Sequence, residues 1–233
     1  MGSRRACESL ITDGRVSVNG IPILHQGLCI DPDSDVVEVD GRRVFPERKV
    51  TFMFNKPVGV LCTCRDTHDR QTFLDFFPGF PERLYPVGRL DQDSEGLLIV
   101  TNDGELALRL THPRHEVAKT YYVRINRVLA PEARHRMLEG IDSDGEQLRA
   151  VSVTAEPGIP GDYRIVLKEG KKRQIRRMAS AVGAGVLTLR RIAIGSLTLG
   201  ALPEGKARAL SESEMKLLFH DAGLESGSGR KST

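Results

Sequence analysis

The strand-like segments of this 233-residue chain do not alternate regularly with helices, and that spacing is what most limits its fold. Val50 to Asn55, Leu97 to Thr101, Thr120 to Asn126, Tyr163 to Lys168 and Val186 to Ile194 are rich in β-branched, aromatic or leucine residues, as strands are. A parallel sheet built from βαβ units needs a helix after nearly every strand. Helix signals fill only some of the gaps. Asp103 is placed to cap a helix over Glu105 to Thr111, Pro131 opens one that Gly140 closes, and Ser211 with Glu214 forms a capping box for a last one. The pattern predicts an α+β fold.

The first forty residues read as a separate small unit. A short helix over Arg4 to Thr12, with Ala6, Leu10 and Ile11 apolar, stops at Gly14. Val16 and Val18 precede the turn pair Asn19-Gly20, and Val36, Val37 and Val39 precede Asp40-Gly41. Arg42 to Lys49, with Pro46 among charges, marks a boundary, and the terminal SGSGRKST is expected to be mobile. No apolar run nears the roughly 18 residues of a membrane span, and the start, MGSRRACESL, lacks the apolar core of a signal peptide. The expectation is a cytoplasmic protein with no membrane partner.

Four cysteines, Cys7, Cys29, Cys62 and Cys64, are too thinly spread for a disulfide framework, and Cys62-Thr-Cys64 lacks the spacing and the second ligand pair of a zinc site. Asp91-Gln-Asp93-Ser-Glu95-Gly96 opens like a calcium loop, but the twelfth position is Asn102 where a bidentate glutamate is needed. Asp31, Asp33 and Asp35 fail similarly, with Val36 in place of the glycine. No metal site is expected. On composition, Asp91 is either a structural turn carboxylate or a working one held in a loop between strands.

The net charge of +3 conceals an uneven distribution. Between Lys168 and Arg191 stand Lys171, Lys172, Arg173, Arg176, Arg177 and Arg190, with Glu169 as the sole acid. Within that stretch Ile175, Met178, Ala179 and Val182 recur at helical spacing, so Arg173 to Val182 should bury one stripe and present its cations elsewhere. Such a face is either simply solvated or a surface for phosphates.

GRLDQDSEGLLIVTNDGELALRLTHP at 88–113 resembles the catalytic motif of the pseudouridine synthases that modify single uridines in bacterial ribosomal RNA. NKPVGVLCTCRD at 55–66, Lys119-Thr-Tyr121-Tyr-Val123, and EGKKRQIRRMASAVGAGVLTLRRIAIGSLTLG at 169–200 agree with that family in type and order. SRRACESLITDGRVSVNG, near the start, is similar to the small S-four-like RNA-binding module. That module opens with a helix ahead of its Ser-Arg-Arg helix, and since Ser3-Arg4-Arg5 stands almost at the first residue, that helix is expected to be missing.

The resemblance implies a mixed, mostly antiparallel sheet with flanking helices over residues 48–222, preceded by a small α+β RNA-binding module at 1–43 and followed by a flexible tail at 223–233. It implies that Asp91 is the essential carboxylate, that Tyr121 packs against the target base, that Arg176 pairs with Asp91, and that Leu189 supplies apolar wall. Arg89 would enter the RNA where the uridine is flipped out, while Lys171, Lys172, Arg173, Arg177 and Arg190 would meet phosphates. The partner implied is ribosomal RNA or a ribosome-assembly intermediate, bound by a monomer. Large-subunit RNA is favoured because Arg173-Gln-Ile-Arg176-Arg-Met is closer to those members. The reaction moves uracil from its nitrogen to its carbon 5 on the same ribose and requires neither metal nor organic cofactor. Asp91 could attack the sugar, stabilise charge on it, or take its 2′ proton. A non-catalytic RNA-binding or assembly protein would account for the charge equally well, but not for Asp91, Tyr121 and Arg176 together at motif positions.

Overall fold

The computed structural model describes residue 2 and residues 4–224, and the chain forms two compact units divided between Arg48 and Lys49. In the first, α1 (Arg4–Thr12) precedes β1 (Val16–Val18), β2 (Ile21–Ile23), β3 (Val37–Val39) and β4 (Arg42–Arg43), which lie side by side in the order β2-β1-β3-β4. Asn19-Gly20 and Asp40-Gly41 turn the chain with φ of 52° and 80°, then 52° and 72°, the paired left-handed conformation of a tight hairpin. Among the described residues of this unit none is buried: Leu10 and Ile11 are half-covered and Ala6 is exposed. Its stability must therefore rest on little apolar area.

The second unit runs β5 (Thr51–Lys56), β6 (Tyr85–Val87), β7 (Glu95–Thr101), α2 (Gly104–Thr111), β8 (Lys119–Ile125), α3 (Pro131–Glu139), β9 (Ile141–Ser143), β10 (Glu146–Leu148), β11 (Ser152–Ala155), β12 (Asp162–Leu167), α4 (Gln174–Ala181), β13 (Val186–Ile194), β14 (Leu197–Thr198), β15 (Ala207–Ala209) and α5 (Glu212–Asp221). Among the described residues nine strands form one sheet along the path β11-β12-β8-β13-β7-β5-β15, with β6 on β7 and β14 on β13. The pairings are antiparallel save β13 with β7. This is the mixed, mostly antiparallel α+β sheet that the sequence pattern and the family resemblance lead one to expect.

Strand period explains how both faces are covered. Along β7, Leu97 and Ile99 join Leu106 and Leu110 of α2 and Leu218 of α5 in one core, while Leu98 and Val100 point the other way into Phe54, Phe73 and Leu84. On β8 and β12, Val123, Ile125, Tyr163 and Ile165 pack against Met137 of α3 and Ile175, Met178 and Ala179 of α4. The apolar stripe read for residues 173–182 is thus the buried face of α4. Asp103 caps α2 by accepting from the Glu105 and Leu106 amides at 3.1 and 3.2 Å, and Ser211 with Glu214 forms a capping box on α5.

The parallel seam joins β13 to β7. Arg190 faces Glu95 and Arg191 faces Gly96 across it. Gly96 has φ +101°, and a side-chain carbon there would collide with the Arg191 backbone, lying 2.8 Å from its nitrogen. Arg191 is buried and donates from Nε to the Leu97 carbonyl at 2.7 Å. Only glycine lets the two halves of the sheet approach this closely. The β9–β10 hairpin, β11 and the two- and three-residue strands β6, β14 and β15 carry too few residues for a periodicity signal and were not anticipated. Of the tail expected at 223–233, residues 225–233 lie outside the described residues.

Candidate active site

Asp91 sits on the loop between β6 and β7, and three local devices set that loop. Leu90 is buried in the core, and its amide donates to Cys62 Sγ at 3.4 Å. The Ser94 amide closes a turn on the Asp91 carbonyl at 3.1 Å. Gly59 donates to the Gln92 carbonyl at 2.8 Å and accepts from Gln92 Nε2 at 3.2 Å. The 55–66 motif is therefore a brace for the Asp91 loop. Lys56, fully buried, donates to the Pro57 carbonyl at 2.8 Å. Burial pushes its ammonium pKa down, and the charges of Asp93, Asp91 and Glu95 are among those that oppose the shift.

A cleft of about 550 Å³ opens beside Asp91, lined also by Arg89, Leu90, Ser94, Tyr121, Leu167, Lys171, Lys172, Arg173, Ile175 and Leu189. Its walls come from β8, β12, α4 and β13, and its rim is cationic. Tyr121 and Leu189 are buried with one edge toward the opening. Among the described residues, Arg89 and Lys172 have no ion-pair partner, whereas Lys171 is tied to Glu169 at 3.1 Å and to the Gln147 carbonyl. Lys171 is thus the more constrained cation of the three.

The arginine nearest Asp91 is not the expected one. Arg173 Nη1 stands 3.9 Å from Asp91 Oδ2, and the same guanidinium binds both oxygens of Asp93 at 3.2 and 2.9 Å. Arg176 turns to Asp93 rather than Asp91. Its Nη2 donates to the Asp93 carbonyl oxygen at 2.7 Å and its Nη1 to the Val186 carbonyl at 3.1 Å. Its Nε lies 3.2 Å from Asp93 Oδ2 but lacks the alignment of a hydrogen bond. Burial raises the Asp93 pKa, but the Arg173 hydrogen bond and the charges of Arg176 and Arg173 outweigh that and hold it below the ordinary carboxylate range. Arg173 reaches this position from a left-handed backbone, φ +51° at the entry of α4, which costs about 1–2 kcal/mol in a residue with a side chain.

Two further arginines assigned to phosphates stand elsewhere. Arg177 is turned inward, with Nη1 on Glu146 Oε2 at 2.5 Å, Nη2 at 3.4 Å from Asp144, and Nε on Ser143 Oγ at 3.1 Å. It fastens α4 to the β9–β10 hairpin. Arg190 alternates with Leu189 along β13, so it lines a different cavity with Tyr122, Asp162 and Ile192 on the other side of the sheet. Asp93, which the sequence places only in a failed calcium loop, is the carboxylate on which Arg173 and Arg176 converge. Its spacing of two from Asp91 was the available signal.

An apolar-walled cleft holding one partly exposed carboxylate and an aromatic ring under a rim of cations suits a protein that admits a single unit of a polyanion. The sequence profile of the RNA pseudouridylate synthase family matches residues 50–181, and the chain belongs to that family. It is 40% identical over 231 residues to an RNA pseudouridine synthase of Aquifex aeolicus (strain VF5), covering 97% of this chain and 92% of the relative. It is 37% identical over 225 residues to the ribosomal large subunit pseudouridine synthase B of Bacillus subtilis (strain 168), covering 94% and 91%. A crystal structure of a pseudouridylate synthase superposes with a TM-score of 0.68 at 30% identity, over 93% of this chain and 94% of that one. RNA is accordingly the partner, and among the described residues no helix is long and apolar enough to cross a membrane.

Proposed function

We propose that the protein isomerises one uridine of ribosomal RNA to pseudouridine, with large-subunit RNA as the substrate, acting as a cytoplasmic monomer. The observation that carries this reading is the placement of Asp91 in one cleft with Tyr121 and Leu189. The similarity to the Bacillus subtilis large-subunit enzyme supports the choice of RNA. A uridine stacked in a helix hides its glycosidic bond, so the nucleotide must be flipped out to reach Asp91. Tyr121 then packs against the uracil ring, Leu189, Leu167 and Ile175 exclude water, and the planar Arg89 guanidinium enters the vacated stack.

The bond from C1′ to N1 breaks, the base turns, and a bond from C1′ to C5 forms. The C5 proton is lost to solvent and N1 gains one, so nothing is oxidised or hydrolysed. Asp91 acts by attack on C1′, by stabilising positive charge on the sugar, or by taking the 2′ proton, and each of these needs an ionised carboxylate. Incubating the protein with ribosomal RNA transcripts, followed by chemical derivatisation and primer extension, should give a stop at one uridine. Tight binding with no stop in either subunit's RNA would leave only a binding protein.

The free cations set the salt dependence. Each of Arg89→Ala and Lys172→Ala should lower the slope of log K against log salt by about one or less. Arg177→Ala should leave the slope unchanged and lower the melting temperature instead, because its charges are met by Glu146 and Asp144. A slope change in Arg177→Ala would return it to the RNA surface.

Residues 1–43 we assign as the S-four-like module, contributing affinity or target choice through a raised local concentration. Deleting them should weaken binding to long RNA and leave isomerisation detectable at high enzyme concentration. A deletion protein that is folded by circular dichroism and binds RNA, but never isomerises it, is the contrary result.

A further inference from the structure

We propose that His112, Arg114 and His115 form a second RNA-binding site outside the cleft, a clip that takes a backbone phosphate of the strand flanking the target uridine and gains a proton as it does so. This deepens the reading above and rests on RNA being the partner. The three residues lie on the connection from α2 to β8, where Pro113–His115 makes a single short helical turn. The connection is fixed at both ends, since Leu110 and Val117 are buried in the core that α2 shares with β7. Between those anchors His112 and Arg114 are exposed and His115 is half-buried. The clip also adjoins the segment that carries Arg89. A side-chain carbon at Gly88, the residue before Arg89, would lie 3.6 Å from the methyl of Thr111, the residue before His112.

Basic groups crowd this turn without an acid to match them. Among the described residues His112, Arg114 and His115 have no carboxylate within ion-pairing distance. The acids beside them are engaged, Glu105 of α2 with Arg109 at 3.7 Å and Glu116 with Lys168 at 2.9 Å, and Glu116 also feels the charge of Arg149. Both rings act as acceptors. The Arg114 amide donates to His112 Nδ1 at 3.3 Å and Arg114 Nε donates to His115 Nε2 at 3.1 Å, so these two nitrogens carry no proton. Desolvation and the charges of Arg114, Arg109 and His112 hold the His115 pKa below the ordinary imidazole value. A phosphate reverses that balance, because a nearby anion favours the protonated ring. Once protonated, His115 Nε2 turns from acceptor to donor and releases Arg114, and imidazolium and guanidinium then donate to the phosphate oxygens together. The ring centres stand 6.1 Å apart, so one phosphate can meet both. The simpler alternative is that the rings only shape the turn between α2 and β8.

RNA affinity measured by anisotropy at fixed ionic strength decides between the two. Wild-type protein should bind about three- to tenfold more tightly near pH 6 than near pH 8, because RNA binding and proton uptake at one imidazole are reciprocally coupled. His115→Gln should change by less than about twofold across that range, whereas His135→Gln, on α3 and paired with Glu139, keeps the wild-type dependence. His115→Lys carries a fixed charge and should bind at both pH values about as tightly as wild type does near pH 6. At neutral pH, Arg114→Ala should lower the slope of log K against log salt by about one or less. A His115→Gln protein that keeps the wild-type pH dependence overturns the proposal, as does an Arg114→Ala protein with the wild-type salt slope. Should His115→Gln fail to fold, His115→Lys takes its place, and a pH dependence that persists in it is the contrary result.

The proton can also be followed at the ring itself. In NMR titrations a short ribosomal RNA hairpin should raise the His115 pKa by about one unit over that of the free protein, and a ring that titrates alike with and without RNA overturns the proposal. Protein that shows the pH-linked affinity but makes no pseudouridine in any ribosomal RNA overturns the enzymatic reading alone. Protein that makes pseudouridine with an affinity indifferent to pH overturns the clip alone, and protein that binds no ribosomal RNA overturns both.

Discussion

Asp91→Asn should abolish pseudouridine formation, with a loss of about 10⁴-fold or more, while RNA affinity changes by less than tenfold. The side chain lines the cleft and is partly exposed, and it makes no hydrogen bond that the amide would break. Asparagine preserves its shape. What it removes is the charge, and attack on the sugar, stabilisation of a sugar cation and removal of the 2′ proton all depend on that charge. The expectation therefore holds whichever route the enzyme uses. Single-turnover assays with saturating protein, paired with an anisotropy titration, separate chemistry from binding, and measurable turnover by the variant would take Asp91 out of its role.

Gly96→Ala should destabilise the protein by about 2–4 kcal/mol, or roughly 5–15 °C in Tm. Two costs combine there. The backbone has φ +101°, and the added methyl would drive into the Arg191 backbone across the seam. Gly145→Ala separates them, since Gly145 has φ +75° with open space around it and should lose only about 1 kcal/mol. Calorimetry on both proteins tests the account. Equal losses would mean that conformation alone, and not the close approach of the two strands, makes glycine necessary at position 96.

Much of this architecture was legible in the chain because its signals are local. Asp103 with Glu105 and Ser211 with Glu214 mark helix ends through bonds made within a few residues, and Pro131 and Gly140 mark the ends of α3 by their backbone preferences. β13 follows its run of residues from Val186 to Ile194 in full. Asp91, Tyr121 and Leu189, each singled out in the sequence, line one cleft. What was not legible is how charges pair over distance. Arg177 looks like its neighbours in sequence, yet its partner Glu146 lies 31 residues away on a hairpin too short to announce itself. Arg190 differs from Leu189 by one position, and strand alternation sends it to the opposite face. Arg176 and Arg173 choose Asp93 over Asp91 through the curvature of a single turn, and no spacing rule encodes that choice.

The seam between β7 and β13 also has a bearing on how the protein is made. Arg191 and Leu97, bonded across it, are 94 residues apart, and Asp93 and Arg173 are separated by 80. While the chain is still on the ribosome, its aspartates exist long before the strand and helix that turn them into a cleft. A polypeptide released before β12 carries Asp91 and Tyr121 but lacks Leu167, Ile175 and Leu189 of the wall and Lys171, Lys172 and Arg173 of the rim. Premature termination ahead of β12 therefore yields a silent fragment, and not a catalyst that modifies RNA at the wrong uridine.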